Sequence, residues 1–140
     1  MKAAGLMLLG VAITLCFWVS KAQALPPFKK AFFEKYVDKS DNSNFKEAAE
    51  KASCNICHVK DKPKKVRNEY GKLLAKYTGG SVNKDAKAAE ASGGDSAKQA
   101  VIDKALKALD EGFDKVADEK SSTGQTYGER IKDGKLPCPK

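Results

Sequence analysis

Cys54-Asn55-Ile56-Cys57-His58 is the most informative stretch of the sequence, and His58 is the only histidine in the chain. Two cysteines separated by two residues and followed directly by a histidine form the attachment pattern of a c-type haem. The two thiols can bind the two vinyl groups of one porphyrin, while the imidazole coordinates the iron. We therefore predict one covalently bound haem c on Cys54 and Cys57, with His58 as the proximal iron ligand.

The same Cys-x-x-Cys spacing also occurs in two other kinds of site. Thioredoxin-like redox centres use it within a βαβ unit, and the sequence shows no such pattern. Structural zinc sites need four ligands, and this chain offers three cysteines beyond its N-terminal segment and one histidine. A disulfide or a zinc pair at Cys54 and Cys57 is therefore the alternative to haem.

The N-terminal residues have the pattern of a secretory signal peptide. Lys2 supplies the positive start, residues 3–19 are apolar, and the Ala-Gln-Ala of residues 22–24 fits the small-x-small rule for cleavage. We expect cleavage before Leu25, so that residues 1–24 are removed. A retained membrane anchor is the alternative, because the apolar run is at the short limit for a spanning helix. Export to the periplasm or an equivalent compartment agrees with haem attachment, which takes place after translocation.

The remaining residues, 25–140, are enough for a single small haem domain with no membrane attachment after cleavage. The whole chain has a formal net charge of +8, and Lys2 and Lys21 are the only charged residues before the cleavage site. The mature chain is therefore basic, which suits docking to a redox protein with an acidic face. The lysines are scattered and no recognition motif is present, so we expect no nucleic-acid partner.

Apolar spacing predicts an all-α fold, a small monohaem cytochrome c-like helical domain, because every periodic segment fits a helical repeat. Phe28, Phe32 and Tyr36 recur at intervals of four, directly after two prolines that suit a helix start. Asn44 and Glu47 resemble a capping box that opens a second helix leading to the motif.

Further helices are predicted after the motif. Residues 64–77 fit a third helix that ends at the glycines 79–80, and residues 81–95 are predicted to be a loop or a weak helix. The longest helix is predicted to start near Ser96, and residues 126–132 form a short last helix. The apolar stripe of the longest helix consists of Val101, Ile102, Ala105, Leu106, Leu109, Phe113 and Val116.

The second axial ligand of the iron is not obvious from the sequence. Met1 and Met7 precede the cleavage site and no second histidine exists, so His/Met and His/His ligation from within the mature chain is excluded. A vacant site, a lysine, a tyrosine, a partner's side chain or Cys138 are the candidates. Cys138 is the odd cysteine of an exported chain, and Pro137 and Pro139 stiffen the backbone around it. It could instead form an intermolecular disulfide or remain a free thiol.

A family resemblance covers most of the mature chain. The segments CNICH at 54–58, KVRNEYGKLL at 65–74 and TYGERIKDGKLP at 126–137 resemble small planctomycete c-type cytochromes. With a cysteine directly after the last segment, the chain resembles a subunit of the heterodimeric His/Cys-ligated cytochromes of anammox bacteria, the NaxLS type. The resemblance implies proximal ligation by His58, distal thiolate ligation by Cys138, and a second haem subunit. It also implies binding of nitric oxide or carbon monoxide, and location in the anammoxosome.

The expected function is that of a low-potential haem protein that binds diatomic gases. A thiolate from Cys138 favours ferric iron, and on reduction the terminal segment can swing away and open the ferrous site to a gas. A low-potential electron carrier that docks to a redox partner is the alternative. We expect no enzyme, because peroxidase chemistry needs a distal base and no histidine remains for it. Arg67 and Arg130 are expected at the surface or beside the haem propionates.

Overall fold

The computed structural model of the protein describes residues 26–138, so the predicted signal peptide, residues 1–24, lies outside the described residues. Within the described range the fold is all-α, which confirms that part of the prediction. This range contains no β-strand, and its β-type pairings are two isolated bridges. One bridge joins His58 to Arg67, and the other joins Lys120 to Thr126.

The helical segments follow one another with short connections, and the longest connection follows the motif. Along the chain they are α1 Pro26–Phe32, a π-helical continuation Phe33–Val37, α2 Ser43–Ala52, a 3₁₀ turn Ser53–Ile56, α3 Glu69–Thr78, α4 Val82–Ala117 and α5 Tyr127–Lys132. The largest contact is that of α3 with α4, and α4 also packs against α1 and α5. The long helix α4 is therefore the element on which α1, α3 and α5 assemble.

The start of α2 differs from the predicted capping box. Asn42 is the capping residue, and its side-chain oxygen accepts a hydrogen bond from the backbone N–H of Phe45 at 3.1 Å. Asn44 lies inside the first turn, so the predicted pair of Asn44 and Glu47 is wrong. The predicted short helix near the C-terminus is confirmed as α5, where Thr126 forms a capping box with the third residue of the helix.

Helix α3 begins later than residues 64–77 predict, because the chain before it pairs with the motif. The N–H of Val59 donates to the carbonyl of Val66 at 3.1 Å, and the neighbouring residues His58 and Arg67 form a β-bridge. Residues 60–65 form turns, and Arg67 is paired with His58, so none of these residues begins the helix. The helix then starts at Asn68, which caps its first turn.

Helix α4 is interrupted at Gly94, where φ is 70° and ψ is −164°. Glycine has no Cβ and adopts this conformation without strain. The weak helix predicted for residues 81–95 is present before the interruption, and the helix predicted from near Ser96 follows it. Despite the length of α4, no helix in residues 26–138 is apolar enough over a sufficient length to cross a membrane.

An aromatic cluster forms the centre of the core. The ring of Phe32, on α1, lies 5.2 Å from Tyr36, 6.2 Å from Tyr70 and 6.0 Å from Phe113, measured between ring centroids. Two of these pairs are edge-to-face, the arrangement that aromatic quadrupoles favour. Of the predicted α4 stripe, Leu109, Phe113 and Val116 belong to this core, and Ile102 and Ala105 are buried as well. The aromatic residues of the first helix therefore pack largely within the domain itself.

Replacing the cap of α2 tests the corrected helix start. Asn42→Ala should lower the free energy of unfolding by about 1 kcal/mol, because the Phe45 N–H loses its acceptor. Asn44→Ala is the matched control and should change it by less than about 0.5 kcal/mol, since Asn44 is exposed. Denaturant unfolding of the purified protein measures both values. Equal effects of the two substitutions would contradict the role of Asn42.

Candidate functional site

The Cys54–His58 motif lies in a tight turn directly after α2. Ser53, with φ of 49°, ends the helix, and a 3₁₀ turn follows. The carbonyl of Cys54 accepts hydrogen bonds from the N–H groups of Cys57 at 3.3 Å and His58 at 3.1 Å. Ile56 points into the core and is 4% exposed. This turn brings the side chains of Cys54, Cys57 and His58 to the wall of one cavity.

The side chain of Asn68 joins the motif to α3. Its Nδ2 donates to the carbonyls of Asn55 at 3.2 Å and Ile56 at 2.9 Å, and its Oδ1 accepts from the N–H of Gly71 at 2.9 Å. The backbone N–H of Asn68 donates to the carbonyl of Cys57 at 3.1 Å. One residue therefore caps α3 and satisfies three carbonyls of the motif at the same time.

Gly71 allows this close approach of α3 to the motif. A Cβ at this position would overlap the carbonyl oxygen of Cys57 and lie 2.8 Å from its carbonyl carbon. Both atoms belong to backbone that is fixed by hydrogen bonds, so neither can move without disturbing the turn. Any larger residue at position 71 would push α3 away from the motif.

The cavity has a volume of about 440 Å³ and lies between the motif, α1, α3 and α4. Its apolar wall consists of Phe28, Phe32, Ile56, Leu74, Val82, Leu109 and Phe113. Cofactor sites typically occupy about 300–1,000 Å³ and are lined mainly by hydrophobic and aromatic side chains. The size and lining of the cavity therefore fit a flat apolar cofactor beside the two thiols and the imidazole.

The charged residues around this cavity are all cationic: Lys29, Lys64, Lys65, Arg67 and Lys84. No aspartate or glutamate is among the described residues that line it. None of the five forms an ion pair within residues 26–138. Lys64 donates instead to the side chain of Asn55 at 3.0 Å, and Arg67 to the carbonyl of Gly80 at 2.9 Å. The cavity thus favours a ligand that carries negative charge.

His58 is held as a neutral imidazole. Burial lowers its pKa below the usual value, and the positive charges of Arg67 and Lys64 act in the same direction. The carbonyls of Val66 and Lys64 oppose this shift, although Nδ1 is buried and makes no hydrogen bond of normal geometry in the described residues. Neutral imidazole is the form that coordinates metals, and a histidine ligand usually donates its second ring nitrogen to a carbonyl.

The thiols of the site are free, since Cys54, Cys57 and Cys138 form no disulfide within the described chain. Burial raises the pKa of Cys57 to about 12, and the neighbouring Cys138 adds to this effect, so Cys57 is a thiol at neutral pH. Within residues 26–138, no three His, Cys, Asp or Glu side chains are placed to hold a metal ion together. The arrangement therefore gives no support to a tetrahedral zinc site made of the three cysteines and His58.

Cys138 lies close to Cys57 but is not among the residues that line the cavity. It is partly buried and packs against the hydrophobic core. Burial raises the pKa of Cys138 above the usual value, and the backbone of Tyr70 and Glu69, in the first turn of α3, partly opposes this shift. The structure thus brings Cys54, Cys57 and His58 together at the cavity, whereas Cys138 is outside the cavity lining and near the start of α3.

Several residues of the site are not evident from the sequence alone. Asn68 and Gly71 belong to a predicted helix, where nothing marks them as contacts of the motif. Arg67 is partly exposed and lines the cavity. Arg130 is not a surface residue, because it is 7% exposed and donates to backbone carbonyls of the C-terminal segment. An Asn-x-x-Gly pattern ten residues after the histidine is the one signal that could have drawn attention to the contact.

Substitution of Gly71 tests whether the contact of α3 with the motif shapes the cavity. Gly71→Ala should lower the free energy of unfolding by about 1–3 kcal/mol, because the added methyl group overlaps fixed backbone. The yield of any covalent cofactor adduct should fall with it, since Leu74 and Ala75 on the same helix line the cavity. Lys72→Ala, on the exposed side of α3, is the control and should leave both quantities unchanged. Unfolding and intact-mass measurements on the two variants decide the question.

Comparisons with known proteins find no match for this chain. No protein-family model matches it, and neither a curated protein nor a solved structure matches it. Its function is therefore inferred from the motif, the cavity and the charges around them.

Proposed function

We propose that the protein is an exported monohaem c-type cytochrome, built as a small cytochrome c-like helical domain. Cys54 and Cys57 would hold one haem c through two thioether bonds, and His58 would be the proximal ligand. The observation that carries this proposal is the apolar cavity of about 440 Å³, which all three motif residues line and whose charged lining residues are all cations.

The lining of the cavity matches the two chemical halves of a haem. Phe28, Phe32 and Phe113 provide apolar contacts for a macrocycle, whereas the lysines and Arg67 provide partners for two propionate groups. Because the five cations have no carboxylate partners in the described structure, two bound carboxylates would relieve their mutual repulsion. When bound, the haem would supply one-electron chemistry and a site for diatomic gases.

Cys138 is our proposed distal ligand. After removal of residues 1–24, His58 is the only histidine and no methionine is left, so Cys138 is the strongest remaining donor to iron in the chain. Its thiol lies near enough to Cys57, a residue of the cavity lining, to contribute to the raised pKa of that residue. Ligation would require the thiol to turn from the first turn of α3 towards the cavity. We propose that thiolate ligation gives a low potential, and that loss of this ligand on reduction admits nitric oxide or carbon monoxide.

A low-potential electron carrier is the second candidate function. The cations at the cavity favour it, because a basic surface beside a redox centre suits an acidic docking face on another redox protein. The two functions differ in the reduced state. A gas-binding protein must open its distal site on reduction, whereas a carrier works best with ligands that stay in place.

Mass spectrometry tests haem attachment and the proposed partner together. Under denaturing conditions the mature protein should lack residues 1–24 and carry one haem, because two thioether bonds survive unfolding. Under native conditions it should associate with a second haem-containing subunit, as the family resemblance implies. A denatured mass equal to the bare polypeptide would refute the attachment, and a monomer from the native source would refute the partner.

Removal of the proposed distal ligand gives a spectroscopic test. Cys138→Ala should leave the haem attached but convert low-spin ferric iron to high spin. It should also raise the potential by about 59 mV for each tenfold preference of thiolate for ferric over ferrous iron. Lys135→Ala, exposed in the same segment, is the control and should match the parent. Absorption, electron-spin resonance and potentiometric titration measure these quantities.

Titration of the ferrous parent with carbon monoxide separates the two functions. Binding by the reduced parent supports the gas-binding proposal, whereas a six-coordinate iron that is inert in both oxidation states supports the electron carrier. If the ferric spectrum and potential of Cys138→Ala equal those of the parent, Cys138 is not the ligand.

A further inference from the structure

Arg130 is a buried cation whose partners are neutral. Its side chain donates from Nη2 to the carbonyl of Leu136 at 2.9 Å, from Nε to the carbonyl of Pro137 at 3.0 Å, and from Nη1 to the hydroxyl of Thr123 at 2.9 Å. Within residues 26–138, no carboxylate forms an ion pair with it. A buried charge without a counter-ion costs free energy of folding. We therefore expect the hydrogen bonds of Arg130 to stabilise the segment that accepts them.

These hydrogen bonds fix the segment that ends at Cys138. The N–H of Lys135 donates to the carbonyl of Arg130 at 2.8 Å, which folds the chain back over α5. Gly134, with φ of 71°, makes the turn, and Pro137 is fully buried. The backbone immediately before Cys138 is therefore anchored at successive carbonyls. A terminal segment held in this way is not a loosely attached tail.

Cys138 itself lies against the first turn of α3. Burial raises the pKa of its thiol, and the nearby backbone of Tyr70 and Glu69 partly opposes this shift. The hydroxyl of Tyr70 is buried and has no hydrogen-bond partner among the described residues. The thiol thus packs against the core cluster that contains Tyr70, and Cys138 is not among the residues that line the cavity beside His58.

We propose that Arg130 is a positioning residue, which holds Cys138 in a resting site against the first turn of α3 whenever its sulfur is not bound to iron. Arg130 acts through the carbonyls of Leu136 and Pro137, not on the sulfur directly. The part of this inference that concerns iron rests on the proposed function, since it treats Cys138 as a ligand that leaves on reduction. The anchoring of the thiol by Arg130 does not depend on ligation.

A purely structural role for Arg130 is the competing explanation. In that case its substitution would lower the stability of the whole domain but leave the position of Cys138 in the folded state unchanged. The rate at which Cys138 is alkylated in the folded protein distinguishes these possibilities. In the holoprotein Cys54 and Cys57 are thioethers, so one label is expected per mature chain.

The experiment measures alkylation of Cys138 by iodoacetamide, in ferric and in ferrous holoprotein, well below the melting temperature. Ferrous Arg130→Gln should react about tenfold faster than the ferrous parent, the factor that corresponds to loss of one hydrogen bond to a charged group. Arg130→Lys keeps the charge but not the planar set of donors, so its rate should lie between these values. Lys132→Gln, exposed on the same helix, is the control and should equal the parent.

The direction of the change in alkylation rate distinguishes a displaced thiol from the loss of a positive charge near it. Thiolate is the reactive form of cysteine, so loss of a nearby positive charge alone would slow alkylation. Faster alkylation of ferrous Arg130→Gln therefore reports a displaced thiol. A rate equal to or below that of the ferrous parent would overturn the proposal.

The ferric samples and the number of labels test the proposed function separately. Slow alkylation of the ferric parent and of ferric Arg130→Gln supports ligation by Cys138. Ferric rates equal to the ferrous rates would refute ligation but leave the role of Arg130 unchanged. More than one label per mature chain would refute haem attachment.

A second variant tests the proposal if Arg130→Gln does not fold. Gly134→Ala leaves the guanidinium in place, but its Cβ would lie 2.9 Å from Cγ of Asn42 and its φ of 71° is strained. It should therefore displace the same segment and speed ferrous alkylation. If a folded Gly134→Ala protein is alkylated no faster than the parent, the proposal is wrong.

Discussion

The direct contact of α3 with the carbonyls of the motif is the constraint on which the rest of the site depends. Gly71 allows close contact of the two backbones, and Asn68 donates hydrogen bonds to three carbonyls of the turn while its Oδ1 caps the helix. Because the helix axis is fixed at this point, Leu74 is placed in the cavity wall. The same contact brings the first turn of α3 to Cys138. One close approach thus determines both the shape of the cavity and the surroundings of the last cysteine.

The parts of the fold that depend on local patterns could be predicted from the sequence. The stripe of α4 repeats every 3.6 residues, and its members Ile102, Leu109 and Val116 are buried as expected. The starts of α2 and α3 were predicted incorrectly for a physical reason. Several residues near each start are chemically able to cap a helix, and contacts from distant parts of the chain decide among them. For α3, pairing of the preceding residues with the motif leaves Asn68 as the first residue free to cap.

The clustering of positive charge around the cavity also depends on contacts between distant parts of the chain, so the sequence does not predict it. The lysines look scattered in the sequence, because Lys29, Lys64 and Lys84 belong to three separate segments of the chain. The fold gathers them at one opening and keeps carboxylates away from the cavity. Lys35, by contrast, is paired with Asp110 and Asp114 at 2.8 Å each, and these partners hold its pKa above the usual value although burial works against them. Similar side chains thus have different electrostatic roles, and only their positions in space distinguish them.

The position of Cys138 in the structure limits how its thiol could move. The sequence suggests a stiff tail that swings as a whole, since Pro137 and Pro139 flank the cysteine. The structure shows instead a segment bound to Arg130, and each hydrogen bond to a charged group contributes about 1.5–3 kcal/mol. Moving the whole segment would break at least two of these bonds, those to Leu136 and Pro137. Rotation about the bonds of Cys138 alone would break neither, so movement of the thiol is most easily confined to that one residue.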